Sequence, residues 1–380
     1  MLLRILPVLL LQKYEVLGMD RYRMFAASVP GAKYAAKGWE CQDVSACKDL
    51  GQAQAIALAD GHGCGDCFRS GIGARLAVET VLQLLQERVP EGRGENRFSE
   101  TAIRSFKHDL RNRWRDAVRE DWKQRLEVTG ELGRGEPRYH AVSRKYRERF
   151  LSPDKAVREK YLCTAYGTTL LCAVSIGTQI LLLQIGDGTC AVLRADGEFA
   201  TPIPAEEENM LNVTVSMCDE DADRKIRHAV LDCSDWDPAS PVAVFLSSDG
   251  LDDCYPYDGN EEHLCRLYAD ILGSALSFGC EATETEILGE LLPYMTTKAS
   301  RDDISLAYLM DREEGLLRNA LHNQLLLAGE DRKEGASSAQ TCTERGREKE
   351  NESYPVEAEG NDQPPSRLPA RQEHSERLIA

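Results

Sequence analysis

Five aspartates stand where apolar segments of the chain begin or end, and together they have the chemistry to hold divalent metal ions. They are Asp43 in CQDV, Asp60 in ADGHG, Asp187 in IGDGT, Asp249 in SSDGL and Asp302 in SRDDIS. If the apolar segments are neighbouring strands, their ends bring these carboxylates to one edge, where like charges are costly unless a cation is bound. Ligands that are all oxygen atoms favour Mg²⁺ or Mn²⁺ over zinc.

The segment LADGHGCGDC is consistent with more than one kind of site. Its Asp-Gly pair allows a sharp turn with a free backbone carbonyl, and His62 follows directly. Cys64 and Cys67 could instead form half of a zinc site completed by Cys41 and Cys47, or a redox dithiol. The spacing of the second cysteine pair is not that of a usual zinc knuckle, and the neighbouring acids favour a harder ion. We therefore expect a metal-binding turn, with the cysteines as neighbours.

Composition excludes several classes of protein. The chain has 380 residues, of which 42% are hydrophobic, so it can bury one large core or two modest ones. Its net charge of -17 argues against a nucleic-acid-binding protein, which needs a basic face. The 13 cysteines are scattered and odd in number, which favours reduced thiols and a cytoplasmic location. Neither GxxxxGK nor GxSxG occurs, which argues against a nucleotide-binding enzyme and a serine hydrolase.

The chain ends differ from the interior. The apolar stretch near the N-terminus is too short to span a membrane, so residues 1–22 are predicted to be a poorly ordered leader with no membrane association. A secretory signal peptide is the less favoured alternative, and Met19 is another candidate start. Residues 313–327 are predicted to form a terminal helix. The tail 328–380 contains too few apolar residues to order itself and is predicted to be disordered.

One domain, residues 23–312, is predicted between these ends. Short apolar runs closed by Gly or Asp-Gly indicate strands and turns; they include RMFAASV, AQAIALADG, TTLLCAVSI, TQILLLQIGDG, TCAVLRADG, PVAVFLSSDG and DISLAYLM. Helices are predicted for RSGIGARLAVETVLQLLQE and for a pair of segments within 261–297.

A basic insert, about residues 86–160, interrupts the domain. It carries 20 Lys and Arg against 14 Asp and Glu, a net charge of +6. Apolar residues recur at helical spacing and predict one buried stripe: Ile103, Phe106, Leu110, Trp114, Ala117 and Val118. Two interpretations remain open. The stripe packs on the main domain with the arginines solvated, or the arginines, among them Arg111, Arg115 and Arg119, recruit an acidic or phosphorylated partner.

The motifs QD, ADGHG, GTTL, GDG, SDGL and SRDDIS occur in an order that resembles the metal-dependent Ser/Thr protein phosphatases of type 2C. The segment FRSGIGARLAVETV is similar to the prokaryotic branch of that family. The resemblance spans roughly residues 25–310, apart from the insert. It implies an α+β fold: a four-layer αββα sandwich of two antiparallel β-sheets flanked by helices, here with a helical basic insert.

The resemblance also implies a two-metal centre of Mn²⁺ or Mg²⁺, with room for a third ion. Asp60 would bridge the two ions, the Gly61 carbonyl would bind one of them, and Asp249 and Asp302 would hold the other. Asp43 would bind metal or orient water, Asp187 would help a third, weaker ion, and His62 would be the general acid to the leaving oxygen. The implied reaction is hydrolysis of phosphoserine and phosphothreonine in proteins by a metal-activated water, without a covalent intermediate.

The implied partners are a phosphorylated protein substrate and a Ser/Thr kinase system, with no nucleic acid, no membrane and a monomeric enzyme. The alternative is an inactive module of the same fold that binds a phosphoprotein as a regulatory scaffold. Retention of five acids and His62 favours the enzyme.

The sequence departs from the family pattern near the first acid. Many members carry an arginine there that grips the substrate phosphate, whereas this chain offers Lys33 and Lys37, which could serve as point charges. Gln42 replaces an acid, and Asp303 replaces an asparagine.

Overall fold

The structure is a computed structural model that describes residues 21–88, 98–129, 138–139, 142–150, 152–204, 214–233 and 237–327. The predicted leader, apart from its last two residues, and the predicted tail lie outside these residues. Parts of the basic insert lie outside them too.

Two five-stranded antiparallel sheets form the centre of the described chain. The strands of the first sheet are β1 (Tyr22–Val29), β6 (Thr189–Arg194), β7 (Phe199–Ala200), β9 (Pro241–Ser247) and β10 (Ile304–Asp311). Those of the second are β2 (Val44–Asp49), β3 (Ala53–Ala59), β4 (Leu170–Ile176), β5 (Gln179–Ile185) and β8 (Arg227–Asp232). The orders are β1-β10-β9-β6-β7 and β2-β3-β4-β5-β8. Each predicted strand segment contains a strand, whereas β2, β7 and β8 were not predicted.

The inner faces of the two sheets pack on each other. Successive side chains of a strand point to opposite faces, so Ile56 and Leu58 of β3 face the interior of the sandwich, where they join Val244 and Leu246 of β9. Ala55 and Ala57 face the other way, toward the helices that cover the second sheet. The predicted αββα sandwich is confirmed.

Helices cover both outer faces. The helices are α1 (Ala32–Ala35), α2 (Ser70–Arg88), α3 (Glu100–Thr129), α4 (Arg144–Phe150), α5 (Lys155–Ala165), α6 (Ala222–Lys225), α7 (Asp249–Asp252), α8 (Asn260–Phe278), α9 (Cys280–Glu286), α10 (Leu292–Lys298) and α11 (314–327). A π-helical turn, Ile287–Leu291, joins α9 to α10. The second sheet packs on α2 and α3, and the first sheet packs on α8, α9 and α10.

The described parts of the basic insert are largely helical, and α3 packs on α2. Its buried stripe consists of Ile103, Phe106, Leu110, Trp114 and Val118, with Ala117 partly buried beside them. The indole N–H of Trp114 donates to the Gly73 carbonyl at 3.1 Å. A Cβ at Gly73 would come within 1.9 Å of the Tyr166 carbonyl oxygen, so only glycine allows this close approach.

Arginines on the outer side of α3 pair with neighbouring elements. Arg111 donates to the Glu220 carbonyl and lies 3.7 Å from the Asp223 carboxylate. Arg119 forms an ion pair with Glu159 at 2.8 Å. These contacts tie α3 to α5 and to the segment around α6, and leave less of the basic charge for recruiting a partner than the sequence suggested.

The described fold begins slightly before residue 23. Arg21 forms a buried ion pair with Asp311 at 3.0 Å, and Tyr22 starts β1 with its side chain fully buried. Burial of an ion pair with good geometry fixes the start of β1 against the end of β10.

Candidate metal centre

The ends of four strands place the predicted acids at one end of the sandwich. In the second sheet, Asp60 directly follows β3 and Asp43 directly precedes β2. In the first sheet, Asp249 opens α7 just after β9, and Asp302 lies just before β10. β2 pairs with β3, and β9 pairs with β10, in antiparallel fashion. In each sheet the two strand ends therefore lie side by side at the same end of the sheet.

Three of the carboxyl groups, those of Asp43, Asp60 and Asp249, are close enough to perturb one another. Burial raises the pKa of Asp60 well above its ordinary value, and the charges of Asp43 and Asp249 raise it further. Burial also raises the pKa of Asp43 to about 7. The pKa of Asp249 is raised, first by burial and then by neighbouring carboxylates. Burial is the largest cause of these shifts and nearby like charges add to it; a bound cation relieves both.

The oxygen atoms of this cluster suit a hard divalent cation. Both carboxylate oxygens of Asp43 are buried and accept no hydrogen bond within normal distance from any described residue, although the nearby Ser248 hydroxyl offsets part of the pKa rise. A buried acceptor without a donor is costly, and a metal ion satisfies it. Among the described residues, no three His, Cys, Asp or Glu side chains are already arranged as ligands of one ion. The donor chemistry therefore fits Mn²⁺ or Mg²⁺, and closing the ligands around an ion requires side-chain movement.

The turn that follows β3 is held by close backbone contacts. A Cβ at Gly61 would come within 2.7 Å of the Ser70 backbone. The turn can therefore lie this close to the start of α2 only because residue 61 is glycine. The Asp60 carbonyl accepts hydrogen bonds from the Thr168 hydroxyl at 2.7 Å and from the Thr169 N–H at 2.8 Å. The GTTL motif thus fixes the backbone that carries Asp60.

Asp302 is paired with Lys33 in this structure. The Lys33 ammonium forms an ion pair with the Asp302 carboxylate and lies 4.7 Å from the centre of the Tyr34 ring. Burial lowers the pKa of Lys33, but the hydrogen bond to Asp302, the charge of Asp302 and the contact with Tyr34 together outweigh burial and leave the pKa raised. One predicted phosphate-binding residue therefore contacts one predicted metal ligand.

Asp187 lies at the exposed edge of the cluster. It is an exposed residue in the turn between β5 and β6, and it accepts a hydrogen bond from the Thr214 hydroxyl at 2.7 Å. Its charge raises the pKa of Asp249 and acts on His62, so the structure places it near the other acids.

His62 is packed beside the same turn. A Cβ at Gly167 would come within 2.8 Å of the His62 ring, and the backbone N–H of His62 donates to the Gly167 carbonyl at 3.2 Å. Burial lowers the pKa of His62, while the carboxylates of Asp187 and Asp219 partly oppose the change. These two carboxylates stabilise the protonated form that a general acid needs.

The remaining predicted residues lie farther out or do other work. Lys37 is exposed, with its ammonium 4.7 Å from the centre of the Trp39 ring. Cys64 and Cys67 have sulfur atoms 2.8 Å apart. Cys47 is an exposed residue of β2, and the described residues contain no group of three cysteines or other ligand side chains arranged around one ion.

Two residues that hold the backbone around the candidate metal centre were not predicted from the sequence to do so. Asp303 is buried and accepts hydrogen bonds from the N–H groups of Gly31 at 2.6 Å and Gln42 at 2.7 Å, so it fixes the segment that precedes Asp43. Arg138, from the basic insert, donates to the Gly63 carbonyl at 2.6 Å. The adjacency of Asp303 to Asp302 was a usable signal; nothing in the local sequence distinguished Arg138 from its basic neighbours.

Comparison with known families agrees with this geometry. The sequence matches the family model for Protein phosphatase 2C over residues 30–276, which is more than half of the chain. The fold and this match define a protein-serine/threonine phosphatase. The chain belongs to the protein phosphatase 2C family.

Solved structures with similarity to the chain include bacterial phosphatases. The Mycobacterium tuberculosis serine/threonine phosphatase PstP/Ppp is 15% identical, with a TM-score of 0.43, over 77% of this chain and 99% of that one. Stp1 from Staphylococcus aureus is 13% identical, with a TM-score of 0.43, over 77% and 95% of the two chains. The catalytic domain of PstP in complex with two manganese ions is 14% identical, with a TM-score of 0.42, over 76% and 98%. The search of curated proteins found no match.

Proposed function

We propose that the protein hydrolyses phosphoserine and phosphothreonine in protein substrates, with two Mn²⁺ or Mg²⁺ ions held at the end of the sandwich. The observation that carries this proposal is the convergence of the carboxyl groups of Asp43, Asp60 and Asp249 at one end of the sandwich, in a chain of the protein phosphatase 2C family. Burial raises the pKa of all three groups, and the charges of Asp43 and Asp249 raise that of Asp60 further, an arrangement that a bound dication stabilises.

The ligands would be Asp60 and the Gly61 carbonyl for one ion, and Asp60, Asp249 and Asp302 for the other, with Asp43 beside them. Asp187 would support a third, weaker ion. When bound, the ions would act as Lewis acids and lower the pKa of a coordinated water. These assignments are the ones that the resemblance to the family implies, and the position of the residues at the strand ends and turns supports them.

The side chains around the cluster supply the rest of the chemistry. His62 would give a proton to the serine or threonine oxygen as it leaves, because an alkoxide is a poor leaving group. Lys33 and Lys37 remain the proposed phosphate-binding residues. Lys33 is paired with Asp302 and so lies at the cluster, whereas Lys37 is exposed and farther from the acids.

The test is hydrolysis of p-nitrophenyl phosphate and of phosphoserine and phosphothreonine peptides by wild type and Asp249→Asn. Each protein is assayed with Mn²⁺, with Mg²⁺ and with EDTA. We expect activity in millimolar-range metal, none in EDTA, and none for Asp249→Asn, whose fold is checked by circular dichroism. Asp258→Asn, at an exposed aspartate outside the cluster, is the matched control and should retain activity.

A second candidate function is that of a scaffold, which binds phosphoproteins without hydrolysing them. The observation that favours it is the ion pair of Lys33 with Asp302. A fixed ammonium at Asp302 would take the place of a cation at that ligand. Tight binding of phosphopeptides with no turnover under any metal condition would support the scaffold, and metal-dependent turnover would exclude it.

We further propose a cytoplasmic, monomeric enzyme that acts opposite a Ser/Thr kinase. The described cysteines are free thiols, as expected in a reducing compartment. Among the described residues, the helices are all too short or too polar to cross a membrane.

A further inference from the structure

A cavity of about 370 Å³ opens beside the candidate metal centre. Three parts of the chain line it: the loop before β2, with Trp39 and Gln42; the start of α2, with Arg69; and the basic insert, with Arg125 and Arg138. Gln42 directly precedes Asp43, so the cavity borders the acid cluster.

The charge of Arg138 is buried without an acidic partner. This side chain is 9% exposed, and its guanidinium donates to neutral acceptors: the carbonyls of Gly63 at 2.6 Å and Cys64 at 3.0 Å, the hydroxyl of Ser70 at 3.3 Å and the side-chain oxygen of Gln42. Among the described residues, no carboxylate forms an ion pair with it. A buried cation that is hydrogen-bonded only to neutral groups contributes a positive potential to the adjoining cavity, which the charge of nearby Asp303 partly offsets.

The other walls keep this potential positive. Arg69 is paired with Asp121 at 2.6 Å, and Arg125 adds a further guanidinium. Glu40 is the acidic residue among the lining residues, and it is exposed. Three arginines and one glutamate thus line the cavity, and Asp121 pairs with Arg69 from behind the wall.

The position of the Arg138 charge is fixed. The Arg138 guanidinium lies over the Trp39 ring at 5.1 Å from the ring centre, and its terminal N–H groups already donate to the acceptors named above. It therefore attracts an anion in the cavity through its charge, without a direct bidentate contact. The volume accommodates a side chain that carries an anionic group.

We propose that this cavity is a specificity site for an anionic side chain of the substrate, located near the phosphorylated residue in its sequence. This proposal rests on the proposed phosphatase function, because a peptide with its phosphorylated residue at the acid cluster places neighbouring residues over the adjoining cavity. The insert therefore contributes to substrate choice through Arg125 and Arg138, which lie inside the cavity, and not through the ion-paired arginines on its outer side.

The experiment compares kcat/KM for three phosphothreonine peptides: one with neutral neighbours, one with aspartates within three residues on either side, and one with a second phosphorylated residue there. The enzymes are wild type, Arg125→Gln, Arg138→Gln and the control Arg113→Gln. Arg113 is on the same helix as Arg125 but is exposed and paired with Glu87, outside the cavity. The quantity compared is the ratio of kcat/KM for each acidic peptide to that for the neutral one.

We expect wild type to prefer an acidic peptide, and each cavity variant to reduce this preference by about two- to fivefold, the scale of an ion pair that stays in contact with solvent. Arg113→Gln should keep the wild-type ratio, and added salt should weaken the preference. Whether the aspartate or the second phosphate gives the larger ratio identifies which anion the cavity takes, and either result supports the proposal. No wild-type preference, or an unchanged ratio in both cavity variants, would overturn it.

Binding separates this proposal from the proposed function. Arg138 also holds the turn that carries His62, so Arg138→Gln risks disturbing that turn, and Arg125→Gln, on α3, serves as the second variant. Fluorescence anisotropy with labelled peptides in EDTA measures the same preference without turnover. If no peptide is hydrolysed but the acidic peptides bind more tightly to wild type than to Arg125→Gln, the proposed activity fails and the cavity proposal stands.

Discussion

The Lys33 ammonium and the Asp302 carboxylate form an ion pair at the acid cluster. The two side chains come from segments that meet because the Lys33 N–H donates to the Arg301 carbonyl at 3.0 Å. The pair neutralises one carboxylate among several, so it stabilises the cluster when no metal is bound. An ion that binds Asp302 has to displace this ammonium.

Replacing Lys33 by glutamine should therefore tighten metal binding. The pair is partly exposed, with 38% and 30% of the two side chains accessible. Exposed pairs contribute about 0.2–1 kcal/mol, so the dissociation constant for Mn²⁺ should fall by up to about fivefold. Isothermal titration calorimetry measures this constant without relying on turnover.

Lys37→Gln is the matched control for this change, because Lys37 is exposed and lies over Trp39 away from the acids. Its Mn²⁺ affinity should equal that of wild type. Unchanged or weaker Mn²⁺ binding by Lys33→Gln would show that the ammonium does not compete with the ion.

Asp252 makes stability depend on pH. It accepts hydrogen bonds from the hydroxyls of Thr189 at 2.6 Å and Ser247 at 3.3 Å, and burial raises its pKa to about 7. Because the folded pKa is above the unfolded value, folding favours the protonated form. Stability is therefore lost as pH rises from about 4 to about 7, and the loss is complete above that range.

Asp252→Asn should remove this loss, since the amide stays neutral and its oxygen can still accept a hydrogen bond. In EDTA, the variant should gain thermal stability over wild type progressively from pH 5 to pH 8, with the largest gain at pH 8. Differential scanning calorimetry across this range checks the trend, and Asp258→Asn, at an exposed site, should show none. A gain that is the same at every pH would mean that Asp252 does not titrate as described.

The sequence predicted the inner strands better than the edge strands, for a physical reason. β3, β4, β9 and β10 are buried along their whole length, and their unbroken apolar runs are visible in the sequence. β2 and β8 are the two edges of the second sheet and alternate between half-buried and exposed residues. Such polar segments acquire their strand conformation from pairing with a neighbour, which composition does not reveal.

The predicted acids came together because each one is adjacent to the end of a strand, and strand ends are readable from sequence. The position of Arg138 was not readable, because it depends on how a long helical insert returns to the body of the domain. The same holds for the pairing of Lys33 with Asp302, since the two residues are far apart in sequence and meet only through the sandwich. Long-range contacts of this kind determine the electrostatics of the site.

The Cys64 thiol should be unusually acidic. A hydrogen bond with the Cys67 thiol lowers the pKa of Cys64 to about 6, although burial opposes the change. Since the thiolate is the reactive form, alkylation of Cys64 by iodoacetamide should reach half of its maximal rate near pH 6. Peptide mass mapping after short exposures identifies this cysteine among the others.

Cys67→Ala removes the hydrogen-bond partner and should move the alkylation midpoint of Cys64 toward the ordinary thiol value of about 8.5. Cys47→Ala, at an exposed cysteine of β2, is the control and should leave the midpoint near pH 6. If Cys64 of wild type titrates like an ordinary thiol, the proposed interaction between the two sulfur atoms is absent.

His62 should matter in proportion to how much the leaving group needs a proton. The nitrophenolate of p-nitrophenyl phosphate leaves without protonation, whereas the alkoxide of serine or threonine does not. His62→Gln should therefore lower kcat for phosphoserine and phosphothreonine peptides by about 10²-fold or more, the usual contribution of general acid catalysis, and lower it far less for p-nitrophenyl phosphate. Steady-state kinetics at saturating Mn²⁺ measures both.

The control for this change is His263→Gln, because His263 stacks on Tyr255 at a ring-centre distance of 5.2 Å and is outside the acid cluster. It should leave both substrates unaffected. Equal losses on both substrates in His62→Gln would indicate that the ring supports the turn at Gly61 through its packing on Gly167, since a distorted metal-binding turn slows every substrate alike. A loss of kcat confined to the peptides is the result that general acid catalysis predicts, because binding of the metal and the attack on phosphorus are common to both reactions.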